Sequence, residues 1–516
     1  MSSFAAGALL LIGCKEDEET ATTPPRVAEP VNGATVECCL VRVRMNPPAE
    51  GVDLDGKVRP LEAGGPHANW RVNDGPIHDV QFPSTQREMG GLPYVFAAEL
   101  APGMNKLEVA RCDEFDLCGW TTISLTATIA VGSPDPAFAR TGQLVIGASA
   151  PRALHVDGSR TLLAVESGTG AEPTQVRSFG ADGVLDTTFG TAGVAKVGLR
   201  AVRGVFPASD GKIFVWMDGY VARLTAMGAN DTSFGTAGVL QFPSPSGSVF
   251  LHAMTELANG NLIVAGSIAD AGSVVPGVIV LSPDGVIVDS QTLAPPGSNV
   301  AVRSAVVTRA GDVAFLTTDS VYRATIAGPV TTFGTSGVLM LPPGLPATQD
   351  AGRITFSGDR VVVAHLMGPD GRVLTITPAG QISTVMVPFG AESNAGHVTA
   401  LSATADTIYV AATSNHPANP QKSWLDNPID GSDLAVARIR AGALDGSFGT
   451  AGIARVSFMN AWRPVAVETL LETPVALAIG PDGAPVVLAE SRGAGIDLWN
   501  PQFNLGPGAT LVRLRP

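Results

Sequence analysis

The stretch 186-DTTFGTAGV-194 decides the fold, because it returns as 231-DTSFGTAGV-239, 331-TTFGTSGV-338 and 445-DGSFGTAGI-453. The third copy opens at Val330, and weaker forms begin at Asp135 (DPAF), Asp289 (DSQT) and Ser383 (STVM), which makes seven marks in all. Two further landmarks travel with the mark. One is a turn, often Asp-Gly or Asn-Gly, leading into an apolar run, as in 210-DGKIFVW, 259-NGNLIVAG and 482-DGAPVVLAE. The other is a strand-like run carrying V-x-R or a relative, as in 221-VARLTAMG, 321-VYRATIAG and 436-VARIRAG. Each occurs seven times, always in the order mark, turn-run, strand.

Seven units over residues 135–516 average about 55 residues each. Short strands and turns at such a period, with no helical stretch, are the pattern of a β-propeller blade. One blade cannot cover both of its faces, so blades stack in a ring. The chain ends on 511-LVRLRP without the mark that follows this strand elsewhere, while the array begins with a mark at Asp135. The expectation is a seven-bladed ring whose last blade is completed by the segment at Asp135. With "DGKI-V", "ARL---G" and "DTSFGTAGV" in this order, the array resembles the delta-60 repeat, a bacterial β-propeller repeat of surface and secreted proteins. The resemblance covers about three quarters of the chain and implies a fold and a setting, not a reaction. Within the mark, Phe189, Phe234, Phe333 and Phe448 supply bulk between sheets, each worth roughly 1.5–3 kcal/mol when buried. The glycines permit positive φ or close approach, and Asp or Ser holds the turn.

Composition agrees. Charged residues are 16% of the 516, Gly (59) and Pro (39) are abundant, and β-branched runs alternate with turns, as in an all-β chain. Lys plus Arg (33) against Asp plus Glu (47) gives a net charge of −14, which disfavours a nucleic-acid partner.

Residues 25–133 read differently. The runs VECCLVRVRM, YVFAAEL, KLEVARC and TTISLTATI cluster like strands between NPPAEG, EAGGPH and APGMN turns. The opening "P-x-N-G-A-T-V", the "LDGKVRPLEAGG" hairpin and the "L-x-P-G-x-N-x-L-E-V" approach resemble a bacterial immunoglobulin-like domain, which implies a small β-sandwich. Asp53-Leu54-Asp55-Gly56 reads as its hairpin turn and not as a metal loop. Four of the five cysteines fall here, Cys38, Cys39, Cys112 and Cys118. In an exported chain they are disulfide candidates, favoured as two bridges from the pair 38/39 to the pair 112/118 with the partners left open. Their spacing lacks C-x-x-C, which argues against zinc.

Residues 1–14, MSSFAAGALLLIGC, resemble a lipoprotein signal peptide ending in a lipobox, and the resemblance implies that Cys14 bears the lipid. No Lys or Arg precedes the apolar run, a departure from that pattern. Residues 15–24, an acidic run followed by ATTPP, read as a solvated tether. Together these imply a chain of the bacterial cell envelope, lipid-anchored at the outer membrane.

No H-E-x-x-H, G-x-S-x-G, phosphate-binding loop or dinucleotide-binding glycine pattern occurs, so no catalytic residue, metal site or cofactor is expected. Of seven histidines, His155, His252 and His365 sit near landmark strands of different blades, where folding can gather them around a channel. The repeat breaks in two places: 413-TSNHPANPQKSWLDNPIDGSD-433 in unit six and 491-SRGAGIDLWNPQFNLGPGA-509 in unit seven. Both insertions fall at the same position in their units and carry an aromatic among amides and carboxylates. Trp424, Asp426, Asn427, Trp499 and Asn500 are therefore the ligand-binding candidates, for a glycan or an envelope protein. The sequence reads as a binding or scaffold module. A propeller enzyme acting at the channel, or a purely structural envelope component, are its alternatives.

Overall fold

The computed structural model describes residues 27–37, 40–45, 67–80, 94–112, 118–147, 149–158, 160–167, 173–242, 249–270, 273–294, 299–343, 352–367, 370–390, 398–415, 432–456, 468–495 and 508–516. The described residues are all-β, and most of them belong to a β-propeller.

The propeller follows from alternation. The second strand Ile213–Met217 is apolar throughout, and Val361 to Ala364 within Arg360–Met367 form an apolar run, so both of their faces must be covered. Each unit is an antiparallel meander. Unit one runs Ser149–Val156, Arg160–Ser167, Gln175–Gly180 and Val194–Lys196. Units two to five repeat it, with first strands Gly204–Pro207, Val249–Glu256, Ser304–Val307 and Gly352–Ser357. Unit six begins at Val398–Ala403 and unit seven at Glu468–Ile479, and one parallel pair, Ser432 with Leu471, links their sheets.

The first strands touch one another in sequence around the array, and that of unit seven returns to that of unit one, so they form the inside of a closed ring. Among the described residues, seven apolar clusters each join adjacent units across a seam. Five of the seams carry the Phe of a mark. Phe189 lies between units one and two, Phe234 between two and three, Phe333 between four and five, Phe448 between six and seven, and Phe138 between seven and one. The seams at units three and five lack it, because Asp289 and Ser383 lie inside the fourth strands Ile287–Thr292 and Ile382–Val387 instead of in a mark loop.

Charge fastens the mark to the third landmark. The buried Arg223 pairs with Asp231 at 2.8 Å and lies 4.9 Å over the Phe234 ring. Arg438 pairs with Asp445 at 3.0 Å and lies 4.8 Å over Phe448. Ser233 and Ser447 donate to the same carboxylates, and these hydroxyl bonds come first among the causes that hold Asp231 and Asp445 below the usual carboxylate range. The Gly190 amide then bonds the Met227 carbonyl of the next unit, and Gly235 reaches Asp284 in the same way.

Closure repeats this chemistry across the array's two ends. Gln143–Gly147 becomes the outer strand of unit seven by pairing with Gly508–Arg513, and Arg513 pairs with Asp135 at 3.1 Å. The phase of the sheets differs from the written repeat by one element. The strand after each mark belongs to the sheet before it, because the mark is the turn between third and fourth strands.

The mark carries a cost that its letters conceal. Ala192, Ala237, Ser336 and Ala451 all sit at φ near +53°, where a Cβ crowds the backbone by about 1–2 kcal/mol. Ala237→Gly is therefore expected to stabilise the fold by about 0.5–1 kcal/mol, after the extra entropy of glycine in the unfolded chain is subtracted. Urea unfolding of the two proteins side by side checks this, and a loss of stability contradicts it.

The N-terminal residues form two sheets over a separate core. A three-stranded sheet, Val27–Glu29, Leu40–Met45 and Tyr94–Glu99, faces a five-stranded one that includes His67–Val72, Gly103–Cys112 and Cys118–Thr128. Val43, Ala98, Leu107, Val109 and Leu125 fill the space between them. In the L-x-P-G-x-N stretch, the buried Asn105 accepts from the Ala101 amide and donates to the Ala101 and Gly103 carbonyls. Its side chain thus fixes the turn into the long strand. Register sets Cys112 opposite Cys118. Cys38, Cys39, Asp53 to Gly56 and Cys14 lie outside the described residues.

Candidate functional site: the insertion-bearing end of the ring

Strand direction decides which residues share an end of the ring. The first strand of each unit runs away from one end, the second returns to it, and the second-to-third connection opens there. The marks, between third and fourth strands, open at the opposite end. Both insertions are second-to-third connections, between Asn415 and Ser432 in unit six and between Gly495 and Gly508 in unit seven. They leave neighbouring units at one end, and their outermost quoted residues are strand. Trp424, Asp426, Asn427, Trp499 and Asn500 lie outside the described residues.

The same end holds a group of basic side chains that the sequence reading passed over. In units one and three the first strand skips one residue in its register, at Arg152 and at His252. In units two and four the matching residues are Arg203 and Arg303, whose amides bond the Trp216 and Leu316 carbonyls at 2.8 Å. Arg353 sits one step further along in unit five. All five lie on the innermost strands or the residue leading into them.

Three arginines of this belt have a partner two residues beyond the second-strand residue that pairs with their neighbour, whereas Arg353 donates to the Gly352 carbonyl at 3.1 Å. Arg152 bonds Glu166 at 2.8 Å, Arg203 bonds Asp218 at 2.8 Å, and Arg303 donates to the Thr318 hydroxyl at 3.2 Å. In unit three the matching residue is Ser267, which accepts the Val302 amide at 3.0 Å. Glu166 also accepts from Thr174 and from the Ala201 amide, so it is held from three sides. The Arg152 and Arg203 side chains are 42% and 44% exposed, and their outward edges face solvent. Burial pushes His252 down to about 4, and Arg203 and then Arg353 push in the same direction against Asp218. Three basic side chains from three units thus share one field, and the imidazole is neutral at neutral pH.

The three histidines do not come together. His252 lies near the insertion end. His155 lies further along its first strand, beside the turn bearing Asp157 and Arg160. His365 is buried in the second strand of unit five, one layer out. Among the described residues no group of three or more His, Cys, Asp or Glu is placed to hold a metal ion, and no helix is long and apolar enough to cross a membrane.

The belt had a signal in the sequence. Arg203, His252 and Arg303 each stand eight residues before the turn glycines Gly211, Gly260 and Gly311.

No protein-family model matches the chain, and no curated protein is similar to it in sequence. Solved structures are similar in shape only. A quinoprotein alcohol dehydrogenase-like protein from Bacteroides thetaiotaomicron is 12% identical over 91% of this chain and 92% of its own, with a TM-score of 0.35. The extracellular domain of a putative hybrid two-component system from the same organism is 12% identical over 78% of this chain, with a TM-score of 0.40, and the match spans 44% of that chain. The polysaccharide lyase Uly1 is 8% identical over 71% of this chain and 90% of its own, with a TM-score of 0.40.

Proposed function

We propose that this chain is a cell-envelope lipoprotein whose propeller, of seven blades in the delta-60 manner, is a binding module for a glycan or protein ligand. The observation that carries the reading is that both repeat-breaking insertions leave adjacent units at one end of the ring, where the first strands present polar and charged side chains. Rigid strands carrying variable connections at one end are a common way to build a recognition surface. In this reading Cys14 carries the anchor at the outer membrane, residues 15–24 are the tether, and residues 25–133 form an immunoglobulin-like spacer braced by disulfides among Cys38, Cys39, Cys112 and Cys118.

Trp424, Asp426 and Asn427 then face the ligand together with Trp499 and Asn500. Trp424→Ala and Trp499→Ala are each expected to weaken binding by tenfold or more in a glycan and envelope-protein screen, as loss of an aromatic anchor does at about 2 kcal/mol. Thermal stability is expected to stay close to that of the parent. If both variants bind every captured ligand as the parent does, the insertions are not the recognition surface.

A further inference from the structure

We infer that the belt of Arg152, Arg203, His252, Arg303 and Arg353 at the insertion-bearing end of the ring binds a carboxylate-bearing sugar, the acidic residue of a glycan. The inference deepens the binding reading above and rests on it for the glycan, but it uses a different set of residues.

The belt runs against the charge of the whole chain. A protein of net charge −14 places a basic side chain on, or just before, the innermost strand of five consecutive units. Among these groups four arginines stand against two carboxylates, Glu166 and Asp218, and the excess of positive charge attracts anions. Arginine suits this task, because its planar fork matches a carboxylate with two parallel hydrogen bonds. Arg203 forks onto Asp218 and Arg152 grips one oxygen of Glu166 through Nε and Nη2, so each of these half-exposed side chains has its Nη1 end left to offer a ligand.

The partners of these arginines select among anions. Glu166 beside Arg152 and Asp218 beside Arg203 repel a ligand that is anionic along its whole length. They accept hydrogen bonds from hydroxyls, as does Thr318 beside Arg303. A ring that alternates cationic donors with carboxylate and hydroxyl acceptors is complementary to a molecule bearing both carboxylates and hydroxyls. Acidic sugars carry that pair of groups, and acidic peptides and phosphate chains lack the hydroxyls. His252, neutral between Arg203 and Arg353, adds one donor and one acceptor without adding charge.

The test is calorimetric titration of the full chain with oligogalacturonate, with the same oligosaccharide after carboxyl reduction, and with oligo-aspartate. Oligogalacturonate is expected to bind at least tenfold more tightly than either comparison and to weaken as salt rises. Arg203→Gln is expected to lose about tenfold in affinity, and Arg203→Lys, which keeps the charge but not the fork, to lose several-fold. Arg152→Gln with Arg203→Gln together should lose about a hundredfold, with the folded state verified by near-ultraviolet circular dichroism. Equal binding of the carboxyl-reduced sugar, equal binding of oligo-aspartate, no binding of any of the three, or an unaltered affinity in Arg203→Gln overturns the inference. The two readings separate cleanly. Binding that depends on Trp424 or Trp499 but not on the arginines leaves the module reading standing and removes this one. Binding that depends on the arginines but not on either Trp does the reverse for the insertions.

Discussion

Replacing Phe448 by Ala is expected to destabilise the propeller by about 3–5 kcal/mol, the usual cost of emptying a buried aromatic site. The ring is fully buried, and its neighbours come from two units: Tyr409, Ala411 and Val436 from unit six, Val487, Val512 and Leu514 from unit seven. Tyr409 meets it edge-on at 5.6 Å, and Arg438 lies over its face. Truncation therefore opens a cavity at a seam and removes the ring beneath a buried guanidinium that is also paired with Asp445. Phe448→Leu keeps most of the volume and should cost less than half as much. Urea unfolding of the parent and both variants measures this. A loss below about 1.5 kcal/mol for the alanine variant would show that the seam closes up without the ring.

The second large effect is one of pH. Burial holds His155 and His252 near 4 in the folded chain, against an ordinary value of 6.5. Around His155, Asp157 opposes this shift while Arg160 and Arg309 add to it. Around His252, Arg203 and Arg353 add to it and Asp218 opposes it. Both histidines bind a proton more readily unfolded than folded, so the stability they contribute is complete above about pH 6.5 and is lost as pH falls towards 4. The expected slope is about 1.4 kcal/mol per pH unit for each histidine within that window. Asp231 and Asp445, held below the usual carboxylate range, lose their contribution only at lower pH. Unfolding free energies at pH 7.5, 6.5, 5.5 and 4.5 should therefore flatten in His155→Gln with His252→Gln. An unaltered slope in that double variant would assign the acid sensitivity to other groups.

How far the letters reached can be judged on particular residues. The marks were legible because a Phe that must fill a seam and glycines that must turn tightly recur at fixed offsets, and their loss at Asp289 and Ser383 was legible for the same reason. The ends of the array gave away its closure, since 511-LVRLRP lacks the Asp that Arg513 finds at Asp135. The phase of the sheets was legible only at those ends, where closure requires the segment at Asp135 to complete unit seven. A three-residue strand such as Val194–Lys196 looks alike whether it joins the sheet before it or after it, and only the hydrogen bonds decide. The role of the V-x-R arginine was not legible, because it reads as a solvated strand residue until Arg438 is found stacked over Phe448. The belt escaped for a different reason. Its members are about fifty residues apart, and the register skips at Arg152 and His252, which align them with Arg203 and Arg303, are invisible in the letters.

The closing pair has a kinetic meaning as well. Asp135 and Arg513 are 378 positions apart, so the contact that completes unit seven has nearly the highest sequence separation the propeller allows. Neighbouring units assemble from local hairpins, whereas this pairing must close the whole loop before any of its bonds form. A chain synthesised from its N-terminus presents Gln143–Gly147 early and Gly508–Arg513 last. Through that interval the first strand of unit one and the unpaired edge of Gln143–Gly147 wait without their neighbours, and an unfilled strand edge invites pairing with another chain. The propeller therefore has one vulnerable moment in its life, between the arrival of its first segment and its last, and protection of that exposed edge matters most there.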